Sequence, residues 1–350
     1  MFRFRPKFFN SEVGIDIGTQ NTVIYLKSKG VVIDEPSVIA VRTLGRKGNK
    51  EIIAFGTEAR KMVGRTPAGI YTINPLSYGV IADFEMTEHM IRQYMKRATG
   101  GNGFLSAPRV AVCVPASVTE VEKRAVVEVT LAAGAKEAFV VEEPFAAAVG
   151  IGLPVYEAQG SLVVNMGAGT TEVAVLSLGG IVKNQAIRVA GNVIDEAIIS
   201  MMRQNHTLAI GESTAEEIKM AIGSVVPLEQ ELTIDVKGRD LVDGLPKVIK
   251  IDSIEVREAI EPNIVQVEDL IRGTLEQTPP ELVRDILDKG IVLTGGTALL
   301  RGLNMRLADV LNVPVHIAEN PLTSVAEGLG KILENPVEKS KDPITIERRD

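Results

Sequence analysis

The sequence predicts an α/β fold built from two related halves, each carrying an inserted subdomain. Three observations carry that expectation. The chain has 350 residues, enough for two domains that each bury a core of their own. A glycine-turned β-hairpin occurs twice, once near the N-terminus and once near the middle of the chain. Strand-like apolar runs alternate with helix-like segments around the hairpins.

The first hairpin runs from Val13-Gly14-Ile15-Asp16-Ile17 through Gly18, Thr19, Gln20 and Asn21 into Thr22-Val23-Ile24-Tyr25-Leu26. The second runs from Leu162-Val163-Val164-Asn165-Met166 through Gly167, Ala168, Gly169 and Thr170 into Thr171-Glu172-Val173-Ala174-Val175-Leu176. Aligning the copies pairs Asp16 with Asn165, Gly18 with Gly167 and Thr22 with Thr171, and sets the join of the halves near Gly152-Leu153-Pro154. Between the hairpins, Met86, Met90, Ile91, Tyr94 and Met95 recur at helical spacing, and residues 119–134 read as a second helical segment closing on Gly134. The expected division is a first core subdomain of residues 1–38, 75–155 and 325–350 with a small insertion at 39–74. A second core subdomain covers 156–190 and 257–324, with an insertion at 191–256. Beyond Pro336 the charged run Glu338-Lys339-Ser340-Lys341-Asp342-Pro343 reads as an irregular tail.

Composition narrows the function. Hydrophobic residues make up 45% and charged residues 24%, as in globular proteins. A formal net charge of −7 argues against a general nucleic-acid binder, which shows a basic balance or a basic face. The single cysteine, Cys113, lies in the strand-like Val110-Ala111-Val112-Cys113-Val114 and reads as a core thiol. His89, His206 and His316 stand far apart, with no metal-ligand spacing. No apolar run reaches the ~18 residues of a membrane span, and no signal-peptide pattern opens the chain, so the expected compartment is the cytoplasm.

The chemistry lies in the turns. A glycine-turned hairpin can aim several backbone N–H groups into one concavity, and such a nest binds phosphate oxygens without basic side chains. Either hairpin alone also reads as a plain tight turn; it is the repetition that points to phosphate. Asp16, at the end of its strand, can hold the water shell of a phosphate-bound Mg²⁺, or simply cap the turn. A third glycine pair, Gly295-Gly296, follows the strand-like Ile291-Val292-Leu293-Thr294 and permits close approach of backbone to a ligand. P-loop, dinucleotide, nucleophile-elbow and zinc signatures are all missing from the sequence.

Taken together, Gly14-Ile15-Asp16-Ile17-Gly18-Thr19-Gln20-Asn21-Thr22, Gly167-Ala168-Gly169-Thr170-Thr171 and Leu293-Thr294-Gly295-Gly296-Thr297-Ala298 resemble the two phosphate motifs and the adenosine motif of the actin, sugar-kinase and heat-shock-chaperone superfamily. Glu35-Pro36-Ser37-Val38, Gly79-Val80-Ile81-Ala82-Asp83-Phe84, Glu142-Glu143-Pro144, the segment from Gly211 to Lys219 and Thr278-Pro279-Pro280-Glu281-Leu282 narrow the resemblance to the MreB family of bacterial actins, from about residue 12 to 335. The resemblance implies an actin-like fold with a nucleotide cleft between the halves and ATP or ADP bound with Mg²⁺. It implies that Gly18, Thr19, Gln20, Asn21, Thr22, Gly167, Ala168, Gly169 and Thr170 hold phosphates, with Asp16 reaching the metal through water. Asn165 then stands in the catalytic set beside Asp16, and Glu143 takes the place of the water-positioning residue, a role suited to a hydrogen-bond acceptor. Glu212, Ala215, Glu216, Glu217, Ile218 and Lys219 fall on the segment that contacts ribose and adenine, and Gly295, Gly296, Thr297 and Ala298 form the adenosine motif.

The resemblance further implies homopolymer filaments on the inner face of the cell membrane, organising cell-wall synthesis and rod shape. A transmembrane cell-shape adaptor and cell-wall synthesis proteins are the implied partners. Three positions depart from the pattern: Asn165 and Asn192 stand where aspartate is usual, and Thr297 replaces a glycine. The loss of charge at Asn165 predicts slow hydrolysis, and leaves open a second reading: a non-hydrolysing structural paralogue that uses ATP only as a ligand. A sugar or acetate kinase needs a second-substrate pocket, and no residues remain for a chaperone's peptide-binding domain. Phe2, Phe4, Phe8 and Phe9, interleaved with Arg3, Arg5 and Lys7, suit an aromatic-basic membrane anchor or, alternatively, a strand extension packed on the core. Phe104 and Leu105 form a second apolar pair, where the family has a membrane-facing loop.

Overall fold

A computed structural model describes residues 12–27, 29–44, 49–100, 107–334 and 345–347. The membrane expectations at Phe2, Phe4, Phe8, Phe9, Phe104 and Leu105 lie outside the described residues. The chain divides into two compact units, Met1–Met62 with Pro67–Gly152 and Val325–Asp350, and Val63–Thr66 with Leu153–Ser324.

In chain order the first unit contributes β1 (Glu12–Ile17), β2 (Asn21–Leu26), β3 (Gly30–Pro36), β4 (Ile39–Leu44), β5 (Asn49–Phe55), α1 (Gly56–Arg60), β6 (Ile70–Ile73), β7 (Leu76–Ser77), β8 (Val80–Ile81), α2 (Phe84–Ala98), β9 (Arg109–Val114), α3 (Glu120–Ala132), β10 (Glu137–Glu142) and α4 (Glu143–Ile151). The second contributes β11 (Ser161–Met166), β12 (Thr171–Ser177), β13 (Gly180–Ile187), α5 (Gly191–His206), β14 (Leu208–Ala209), α6 (Glu212–Ile222), β15 (Thr233–Asp240), β16 (Pro246–Asp252), α7 (Ser253–Glu276), α8 (Pro280–Lys289), β17 (Ile291–Thr294), a 3₁₀ turn at Gly296–Leu299, α9 (Leu303–Leu311) and β18 (Val315–Ile317). The chain then returns to the first unit with α10 (Ser324–Glu334) and β19 (Thr345–Glu347).

Both units are built on the same sheet plan. In the first, β1, β2 and β3 form an antiparallel meander, and β9 and β10 continue the sheet parallel to β1 in the order β3-β2-β1-β9-β10. In the second, β11, β12 and β13 form the meander and β17 and β18 continue it in parallel, in the order β13-β12-β11-β17-β18. Asp16 and Asn165 each occupy the fifth position of their six-residue strand. Smaller three-stranded sheets, β5-β4-β6 and β14-β15-β16, are appended to the first and second units respectively.

Local sequence accounts for the helices that cover these sheets. Asp83 starts α2 by accepting the Met86 N–H at 3.1 Å, and Met86, Met90, Ile91, Tyr94 and Met95 are buried on its inner face in the first unit's core. A capping box of Thr119 and Glu122 starts α3. Pro144 sits in the first turn of α4, which ends at Gly152 with a φ of 87° that suits glycine. In the second unit Val164, Met166, Val173 and Val175 point to a core shared with α5, α6 and α7, so Asn165 and Glu172 lie on the opposite face of the sheet. One expectation is corrected: residues 345–347 are not an irregular tail but pair antiparallel with β10 as an edge strand. The Ile344-Thr345-Ile346 alternation was masked by its charged flanks.

Candidate functional site

In the first unit, the loop between β1 and β2 is held from behind by its carbonyls. Ser37 Oγ donates to Gly18 O at 2.7 Å, the Ser37 N–H donates to Gln20 O at 2.8 Å, and Asn74 Nδ2 donates to Thr19 O at 2.6 Å. Thr19 Oγ1 accepts the Gly79 N–H at 2.9 Å, and the buried Thr22 hydroxyl lies 2.8 Å from Ser37 Oγ. Gly18 admits no side chain, because a Cβ there would stand 2.6 Å from Asn21 O. Asp16 and Glu143 lie toward the C-terminal ends of the parallel strands β1 and β10, the edge where ligands bind in open α/β sheets.

The second unit repeats this plan with different buttresses. The Gly167 N–H donates to Thr170 O at 3.0 Å to close the turn. Gly167 O accepts from the Gly191 N–H at 3.2 Å and from Thr297 Oγ1 at 2.7 Å, and Ala168 O accepts from the Asn192 N–H at 2.9 Å. Among the described residues, the N–H groups of Ala168, Gly169 and Thr170 donate to no backbone carbonyl. The turn therefore has the carbonyls of Gly167, Ala168 and Thr170 engaged and three N–H groups without a backbone acceptor, a polarity that suits an anion. The start of α5 abuts it and adds the positive end of a helix dipole.

Beside the turn, Gly295 has a φ of +83°, and a Cβ there would fall 2.3 Å from Met166 O. Only glycine lets the end of β17 pass this close to β11. Asn165 is 6% exposed, directly opposite the fully buried Glu172 on β12 and beside Thr294 on β17. Thr294 Oγ1 donates to Pro321 O at 3.1 Å and contacts Ser324 Oγ.

The residues of α6 divide by face. Ala215 and Ile218 are fully buried in the second unit's core, whereas Glu212 and Glu217 are exposed and Glu216 is half-buried. Lys219 folds onto α5, donating to Asp195 Oδ2 at 2.9 Å and to Gly191 O at 3.1 Å. It thus ties α6 to the helix start that braces the second glycine turn. Thr297 and Ala298 are buried and Gly296 is exposed. Ser37, Asn74, Gly79, Gly191 and Asp195 complete the two networks and were not singled out for a role in the sequence; only the Glu35-to-Val38 and Gly79-to-Phe84 motifs pointed to two of them.

Electrostatics single out Asp16. Close enclosure by the fold, and then the charge of Asp34, push its pKa up to about 7, although the residue as a whole is only partly buried. A cation beside it would favour the charged form, and a hard oxygen donor suits Mg²⁺. In the second unit, open N–H donors beside a helix start suit a phosphate; in the first unit, the Asp16 carboxylate suits Mg²⁺.

Two units with a shared meander-plus-parallel plan and a glycine turn at the same strand position define a protein of the actin-like fold class. MamK, solved as a double helical filament, shares that fold with a TM-score of 0.78 at 22% identity, over 93% of this chain and 99% of that one. MreB5 of Spiroplasma citri bound to ADP aligns with a TM-score of 0.88 at 37% identity, over 95% of this chain and 98% of that one. The cell shape-determining protein MreB of Escherichia coli (strain K12) is 47% identical over 332 residues, 95% of either chain. The MreB/Mbl protein family profile matches residues 10–341. The chain belongs to the MreB/Mbl family of actin-like cytoskeletal proteins.

Proposed function

We propose that this protein binds ATP or ADP with Mg²⁺ through its two glycine turns and polymerises into filaments on the inner face of the cell membrane, where they organise cell-wall synthesis and rod shape. The observation that carries the nucleotide reading is the second turn, with its carbonyls held by Gly191, Asn192 and Thr297 and three N–H groups in hand. The S. citri relative has been solved with ADP and with AMPPNP, and membership of the MreB/Mbl family supports the filament and cell-shape roles.

Bound magnesium would supply charge neutralisation at the phosphates; Asp16 would hold its water shell, and the neutral Asn165 would offer one amide hydrogen bond in place of a charged one. Glu143, the first residue of α4, is assigned to orienting the attacking water. Asn165 also favours a second reading, in which nucleotide stabilises the filament without a hydrolytic cycle. Membrane contact is assigned to the N-terminal run Phe2 to Phe9, whose aromatics alternate with Arg3, Arg5 and Lys7, and to Phe104-Leu105. Adaptor and cell-wall synthesis partners follow from the same family reading.

Electron microscopy of the purified protein with ATP, with ADP and without nucleotide tests the proposal. Filaments that require nucleotide are expected. Filaments in every condition would favour the ligand-only reading, and their absence in all three would overturn polymerisation.

A further inference from the structure

The two turns share a device that the family resemblance does not assign. In each, the carbonyl of the leading glycine accepts a hydroxyl hydrogen bond at 2.7 Å: Gly18 O from Ser37 Oγ, and Gly167 O from Thr297 Oγ1. Both hydroxyl residues are buried, Ser37 at 1% and Thr297 at 7% exposure. They come from unrelated places, Ser37 from the segment after β3 and Thr297 from the 3₁₀ turn after β17, so a shared ancestral side chain does not explain the match. A glycine at position 297 could not make this bond.

We propose that Thr297 is a positioning residue for the second phosphate turn, fixing Gly167 as Ser37 fixes Gly18, and so linking the adenosine-side loop to the phosphate-side loop. The inference rests on the nucleotide reading above. The site is tightly packed: a Cβ on Gly191 would lie 3.2 Å from Thr297 Oγ1 and 3.4 Å from both Ala168 Cα and Lys219 Nζ. Thr297, the phosphate turn, the start of α5 and Lys219 therefore form one braced unit, in which Gly167 O receives two donors at once. Without the hydroxyl, the turn loses one of its two holds at Gly167 and must be ordered by the ligand itself.

The test compares wild type, Thr297→Val and Thr297→Ser by calorimetric titration with Mg²⁺–ADP, with circular dichroism as the folding control. Valine keeps the shape and removes the hydroxyl; serine keeps the hydroxyl. The expected result is ADP binding weakened about threefold to tenfold in folded Thr297→Val and restored in Thr297→Ser. Undiminished ADP binding by Thr297→Val, or equal weakening in both variants, would overturn the positioning role while leaving the nucleotide reading intact. A wild-type protein that does not bind ADP would overturn both.

Discussion

Replacing Asn165 by aspartate puts a carboxylate at the end of β11, beside the second glycine turn, and the structure shows what that carboxylate meets. Asn165 is 6% exposed and directly opposite Glu172, which is fully buried on the same face of the sheet. Side chains paired in this way sit ~5 Å apart at Cβ. Two carboxylates at that spacing repel by on the order of 3 kcal/mol at an effective dielectric constant of about 20, and the pair limits the cost by keeping one proton. Asn165→Asp is therefore expected to lower ligand-free stability by about 1–3 kcal/mol. On the proposed nucleotide reading, bound Mg²⁺–nucleotide would reverse the balance, because a charge-assisted hydrogen bond to a metal-bound water would gain ~1–2 kcal/mol over the amide's neutral one. Expressed in the transition state, that gain would speed hydrolysis roughly fivefold to thirtyfold. Urea unfolding without ligand and phosphate release with Mg²⁺–ATP read the two effects separately. Equal phosphate release in the two proteins, together with unchanged ligand-free stability, would show that the charge at position 165 matters to neither.

Arg306 on α9 reaches two carboxylates of α7, donating to Glu268 Oε1 at 2.6 Å and to Glu261 Oε1 at 2.7 Å. Glu268 is 7% exposed, so Arg306→Ala strands a buried charge and should cost about 3–5 kcal/mol in urea unfolding, most of it recovered in the double variant with Glu268→Gln. Glu231 is held down to about 2 by hydrogen bonds from Arg257 and then Ser253. Its folded pKa is depressed, so its contribution is present above the ordinary glutamate value and lost as pH falls. The stability gap between wild type and Arg257→Ala should thus be constant near neutrality and close between about pH 4.5 and 2, as followed by unfolding at each pH. Deleting residues 2–9 should weaken co-sedimentation with anionic liposomes, and unchanged binding would assign membrane contact elsewhere.

The fold was legible where a local rule forces one residue type. Gly18 and Gly295 are glycines because a Cβ would collide with backbone, and this is readable as punctuation between strand-like runs. The inner face of α2 and the Thr119 capping box are likewise visible within one or two turns of sequence. The buttresses of the candidate site were not legible, because each joins residues far apart in the chain: Asn74 reaches back to Thr19, Lys219 to Asp195, and Thr297 to Gly167 across 130 positions. Nor does local pattern show that Asp34, on the far side of β2, faces Asp16 and helps raise its pKa. Polar side chains such as Ser37 and Asn74 have no periodicity that separates a carbonyl brace from a solvated loop residue, so only the fold reveals them.

The central claim is that the glycine turns hold a nucleotide's phosphates. Its most direct test is calorimetric titration of Mg²⁺–ADP into the wild type and into Gly18→Ala, where the added Cβ would press on Asn21 O at 2.6 Å, with circular dichroism to confirm folding. The expected result is saturable one-to-one binding by the wild type and at least a tenfold loss, about 1.4 kcal/mol, in the folded variant. No binding by the wild type, or undiminished binding by Gly18→Ala, would contradict it.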